Sequence, residues 1–151
     1  MSSPRLARGR SSEIGRIYSV TTICHRRAQR FVDAISVACL AQELQRLQDD
    51  ARIANIAWIA MPDHLHWLFS LHAGTLPEAV ALLKGRSARA IGTRYGGAAP
   101  FWQAGYFDHA LRHDEAVQRH ARYLVENPLR AGLVSSPWEY PHWWCGWDPF
   151  A

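Results

Sequence analysis

A chain of 151 residues, 48% hydrophobic and with seven Trp, is long enough to bury the core of one compact domain. Its formal charge of +4 and pI near 9.3 favour a polyanionic partner, although a general bias toward arginine would equally explain why Lys84 is the only lysine among 17 basic residues. Cys24, Cys39 and Cys145 are too few and too far apart for a disulfide framework or a Cys-x-x-Cys zinc site. No apolar run approaches the roughly 18 residues of a membrane span, and the start MSSPRLARGR lacks the apolar stretch of a signal peptide, so a soluble cytoplasmic protein is expected.

Residues 1–15, with Arg5, Arg8 and Arg10, read as a flexible basic arm preceding a domain over 16–137. Residues 17–24 are rich in Ile, Val, Tyr and Thr and read as a strand, followed by a basic loop with Arg26, Arg27 and Arg30. Asp33 is placed to cap a helix whose apolar stripe runs through Ile35, Cys39, Leu40, Leu44 and Leu47. Residues 55–61 and 63–72 form an expected antiparallel hairpin turning at Pro62-Asp63. Thr75 and Glu78 have capping-box spacing for a helix over 76–95, and a fourth strand is expected over 107–113. Asp114 then starts a third helix, which Pro128 is expected to stop near Glu126. Residues 138–151, with four Trp, read as an aromatic tail without regular structure that packs back on the domain. The order β-α-β-β-α-β plus a helix is an α+β, ferredoxin-like split βαβ plan: a four-stranded antiparallel sheet with helices on one face and an additional helix.

Two features carry candidate chemistry. Alternation along the strand places His64 and His66 on one face, opposite Leu65, Trp67 and Phe69, at a spacing suited to one divalent ion; such pairs also occur by chance on exposed strands. On the third helix, Val117, Ala121, Leu124 and Val125 form the buried stripe, and His120, Tyr123 and Asn127 share a flank beside it. A phenol, an amide and an imidazole aimed at one spot could complete a metal site and supply a nucleophile, or could be surface side chains at a helix end.

The blocks MPDHLHWLF, FWQAGYFDHALR and YLVENPLRAGLV, in this order and spacing, resemble the signature blocks of the IS200-like tyrosine transposases, above all the branch associated with repetitive extragenic palindromes. The resemblance covers residues 16–140, and His64-Leu65-His66 has the pattern that names the wider HUH endonuclease class. It implies a metal-dependent endonuclease and transposase for single-stranded DNA, with Tyr123 as catalytic nucleophile on the additional helix and His64 and His66 as metal ligands. The residue four positions after the tyrosine, often Gln in relatives, would be the third ligand. Here it is Asn127, one methylene shorter and followed by Pro128, with His120 able to substitute or assist. The implied cofactor is Mg²⁺ or Mn²⁺, and the implied partner is single-stranded or hairpin DNA of repetitive palindromic elements, cut through a 5′-phosphotyrosine.

Arg5, Arg8, Arg10, Arg26, Arg27, Lys84, Arg86 and Arg130 are candidate DNA contacts, and Phe101, Trp102, Tyr106 and Phe107 are candidate stacking residues that could equally be core. A monomer or homodimer acting at the nucleoid, away from membranes, is expected. Two other readings stay open: a hairpin-DNA-binding protein that has lost cleavage, and a metal-dependent hydrolase of small phosphoesters.

Overall fold

The computed structural model describes residues 12–95, 100–112 and 114–151. Arg5, Arg8 and Arg10 lie outside the described residues, as does the side chain of Asp114. Strands β1 (Ile17–Ile23), β2 (Ile53–Met61), β3 (His64–Leu71), β4 (Phe107–Leu111) and β5 (Trp143–Cys145) form one sheet in the order β4-β1-β3-β2-β5, antiparallel at every pairing. Helices α1 (Ala34–Asp49), α2 (Leu76–Gly92), α3 (Asp114–Val125) and the single turn α4 (Asn127–Arg130) are the α-helices among the described residues. This is the expected α+β split βαβ plan with one strand more. The aromatic tail is not irregular: Trp144 pairs with Trp58 and Trp143 with Ile59, so β5 covers the edge that β2 would otherwise expose. Tyr140 anchors this segment by donating its buried hydroxyl to Ala60 O at 2.6 Å, and burial pushes its phenol up to about 12.

The sheet has a core on each face. Tyr18, Val20, Leu65, Trp67, Phe69 and Leu71 meet Val37, Leu40, Leu44 and Leu47 of α1 and Val80 and Leu83 of α2. The fully buried Trp67 stacks on Phe69 at 3.9 Å, and its indole N–H donates to Asn55 Oδ1 at 2.7 Å. On the other face Ala57, Ile59, Met61 and Leu68 receive Val117, Ala121, Leu124 and Val125 of α3. A register shift between Asn55 and Ala57 makes this possible, because the extra residue reverses which side chains of β2 point to which face. Before it, Ile53 faces α1 and α2; after it, Ala57, Ile59 and Met61 face α3.

Asp33 caps α1, accepting from Ser36 N at 2.6 Å and from the Tyr95 hydroxyl at 2.6 Å. The Tyr95 and Ser36 hydrogen bonds hold its carboxyl at about 2, below the ordinary 3.8. We expect Asp33→Ala to lower stability by about 1–2 kcal/mol, seen as a thermal midpoint a few degrees lower near neutral pH. Because the folded value is depressed, the Asp33 contribution is full above about pH 4 and is lost as pH falls toward 2, so wild type and variant should converge there. An unchanged midpoint at neutral pH would remove the cap from the account.

Candidate active site

Cross-strand register places Thr21 and Ile59 beside His66, and Ile23 and Met61 beside His64, all on the face that carries α3. The two imidazoles stand edge to face with ring centroids 4.8 Å apart. His64 Nδ1 lies 2.7 Å from Asp63 Oδ1, and because a carboxylate can only accept, Nδ1 is the donor. Nε2 then keeps its lone pair in the neutral ring. Arg27 holds the same carboxylate from its far side, Nη1 to Oδ2 at 3.3 Å. Burial pushes the Asp63 carboxyl up, but His64 and Arg27 together outweigh it and the group stays below its ordinary value. Arg27 reaches this place because the loop after β1 is tied to the hairpin turn, by Cys24 N to Asp63 O and Phe31 N to Pro62 O. Arg26 and Arg27 both take left-handed backbone there, with φ of 55° and 53°.

His66 Nδ1 is 2.8 Å from Thr21 Oγ1. Burial first, then the charges of His64, His120 and Arg130, push His66 down to about 3, so its ring is neutral across the physiological range. Beside it, a cavity of about 120 Å³ is lined by Ser19, Thr21, His66, His120, Tyr123, Asn127 and Arg130. His64 does not line it and joins only through the His66 ring. His120 is fixed by Ser19, Oγ to Nε2 at 2.8 Å, and burial followed by the charge of His109 lowers its pKa. Among the described residues the Asn127 amide has no hydrogen-bond partner.

The five tyrosines separate sharply by environment. Tyr18 and Tyr140 are buried, Tyr95 is bonded to Asp33, and Tyr106 packs against the α1 and α2 core. Tyr123 alone is exposed, at 59%. Arg130 lies against it, the guanidinium carbon 3.6 Å from the ring centroid and Nη2 donating to Tyr123 O at 2.6 Å. The third helix stops where expected, at Val125, and α4 starts two residues on: Pro128 sits in its first turn, where a missing N–H costs nothing, and Gly132 at φ 74° closes the turn.

The other expected contacts fall elsewhere. Lys84 donates to Gln103 O at 2.8 Å and Gly105 O at 2.9 Å, half-buried and with its pKa lowered by that burial, so it holds a loop instead of presenting a free charge. Arg86 pairs with Asp50 at 3.2 Å. Phe101 and Trp102 are buried, with Trp102 donating to Ser87, which removes them as base-stacking surfaces. Ser19, Thr21 and Asp63 join the site without having been singled out in the sequence. The signal for the first two is the row of small hydroxyls at alternate positions of β1, which becomes informative only with the β1–β3 register.

A cation bound here would find the His66 imidazole and the Asn127 amide in the cavity, with the His64 ring beside His66 at 4.8 Å between centroids. The Asp63 bond leaves His64 Nε2 free, the neutral His66 does not compete by protonation, and the unpartnered Asn127 opens to the same cavity as His66, so the donor chemistry fits a divalent ion. Among the described residues no group of three or more His, Cys, Asp or Glu is placed to hold a metal. No helix among them is long and apolar enough to cross a membrane.

A family model described as IS200-like transposase matches residues 15–127. The REP-associated tyrosine transposase of Escherichia coli (strain K12) is 26% identical over 85 residues, 56% of this chain and 50% of that protein; the match thus spans about half the relative's length. A solved REP-associated tyrosine transposase bound to a REP hairpin has a TM-score of 0.75 at 23% identity, covering 95% of this chain and 82% of that one. A Deinococcus radiodurans R1 protein, itself a proposed transposase, has a TM-score of 0.56 at 22% identity, covering 84% and 97%. Both structural likenesses are likenesses of fold.

Proposed function

The chain belongs to the IS200-like transposase family, and from that membership we propose that it is a single-strand DNA endonuclease and strand transferase acting on hairpin or palindromic repeat DNA, with Tyr123 as nucleophile. One observation carries this reading: the only exposed tyrosine opens onto the cavity that holds His66, His120 and Asn127. Tyr123 Oη attacks the phosphorus, an Oη–P bond forms as the P–O3′ bond breaks, the phenolic proton is released to solvent and the departing O3′ takes one up. The products are a 5′-phosphotyrosine and a 3′-hydroxyl, and reversal by another 3′-hydroxyl rejoins the strand with no nucleotide hydrolysed. His64, His66 and Asn127 would hold Mg²⁺ or Mn²⁺, which when bound would polarise the scissile phosphate. Asp63 and Thr21 fix the two imidazoles. A flipped or unpaired nucleotide suits a phosphate site set against a sheet.

Incubation with end-labelled hairpin DNA and Mn²⁺, followed by a denaturing gel, tests the proposal. It predicts a protein-linked DNA band. Binding without cleavage would point to the second reading, a cleavage-deficient hairpin-binding protein. Phosphoester turnover without an adduct would point to a hydrolase.

The third ligand is testable separately. We expect Asn127→Ala to raise the Mn²⁺ concentration for half-maximal cleavage by roughly 10-fold or more, since even outer-shell partners of metal ligands are worth that much. Asn127→Gln should keep partial activity. If Asn127→Ala titrates like wild type while His120→Ala does not, His120 is the ligand.

A further inference from the structure

The exposed Tyr123 ring poses a problem of order. Its hydroxyl has no hydrogen bond among the described residues, and the ring is 59% exposed. The nearest ring, that of His120, is 6.5 Å away between centroids. An exposed side chain left to itself samples several rotamers, and attack requires one that turns the hydroxyl toward the cavity.

Arg130 supplies the missing constraint. Because α3 ends at Val125, the carbonyl of Tyr123 is among the last four of the helix and lacks an intrahelical donor. The turn α4, started by Asn127-Pro128, brings Arg130 back so that Nη2 donates to this carbonyl at 2.6 Å while the guanidinium plane covers the ring, 3.6 Å from its centroid. The cation also sits favourably at a helix C-terminus. Among the described residues Arg130 has no carboxylate partner, so nothing competes for its charge. The two contacts are to the backbone and the ring of the same residue, which fixes the ring relative to its own helix.

We infer that Arg130 is a positioning residue for Tyr123, a stacked clamp that holds the phenol in its attacking orientation and is not primarily a DNA backbone contact. This role rests on the reading of Tyr123 as nucleophile. It requires the planar, multi-donor guanidinium, because an ammonium cannot cover the ring and bond the carbonyl at once.

The experiment measures, for wild type, Arg130→Ala and Arg130→Lys, the rate of protein–DNA adduct formation at saturating hairpin DNA with Mn²⁺, and separately the hairpin Kd and its salt dependence. The expected result is an adduct rate lower by roughly 10- to 100-fold in both variants, the scale of a displaced reacting group, with Kd and salt slope unchanged within about 2-fold. In the free protein, the NMR resonances of the Arg130 side chain should be displaced by the Tyr123 ring current and return to ordinary positions in Tyr123→Leu. Weaker binding with an unchanged saturating rate, and rescue by lysine, would make Arg130 a phosphate contact and overturn the clamp. A faster rate in Arg130→Ala would overturn it too, by making the stack a block. A lower thermal midpoint with a wild-type adduct rate would leave only a structural contact. Absence of any wild-type adduct would overturn the nucleophile reading itself, whereas a wild-type adduct with unchanged variant rates overturns this role alone.

Discussion

Replacing either His64 or His66 by alanine should abolish cleavage, lowering it by at least roughly 10²–10³-fold, the cost of losing one preorganised charge-stabilising group, while hairpin binding stays close to wild type. The asymmetry follows from where the side chains sit. Both imidazoles are half-buried and lie beside the apolar residues that join α3 to the sheet. Each is held by a polar partner, Asp63 for His64 and Thr21 for His66. Asp63→Ala and Thr21→Val should therefore produce smaller losses that added Mn²⁺ restores in part, because they loosen a ligand without deleting it. Cleaved fraction against Mn²⁺ on a denaturing gel measures all four variants. Full activity of either histidine variant, or of wild type in EDTA, would end the metal proposal.

Tyr123→Phe should remove the covalent adduct completely and leave the fold intact. One oxygen is lost, and it is the attacking atom. The same oxygen makes no hydrogen bond among the described residues, and the ring that remains can still stack under Arg130, so stability should change by less than about 0.5 kcal/mol. Tyr140→Phe is the informative contrast. Its hydroxyl is buried and bonded to Ala60 O, so that variant should lose about 1–2 kcal/mol of stability and keep the adduct. Residual adduct in Tyr123→Phe, or adduct loss in Tyr140→Phe without unfolding, would contradict the assignment.

The face carrying the histidines was legible because β3 alternates without a break: Leu65, Trp67 and Phe69 are buried against α1 and α2, and His64 and His66 lie on the other side. The caps at Asp33 and Thr75 were legible for a similar reason, since capping is decided within three or four residues. β2 was not, because the irregularity between Asn55 and Ala57 reverses the facing of Ala57, Ile59 and Met61, and nothing in NIAWIAM marks where the extra residue falls. β5 was missed because a three-residue strand among tryptophans has too short a pattern, and its pairing with β2 is a contact across 80 or more residues of chain. Pro128 marks the end of α3 as expected, but the sequence did not show that it also sits in the first turn of α4, which carries Arg130 to Tyr123. Lys84 and Arg86 show the limit of reading charge alone: their partners, Gln103, Gly105 and Asp50, are neighbours only in three dimensions.

The most direct test of the account is the identity of the residue that becomes joined to DNA. Wild-type protein is incubated with hairpin DNA and Mn²⁺, the covalent complex is isolated under denaturing conditions and digested with protease and nuclease, and the modified peptide is sequenced by mass spectrometry. The expected product is a phosphonucleotide on Tyr123, joined to the 5′ side of the break. A phosphonucleotide on Tyr106 or any other tyrosine, or a broken strand with no adduct at all, would contradict it.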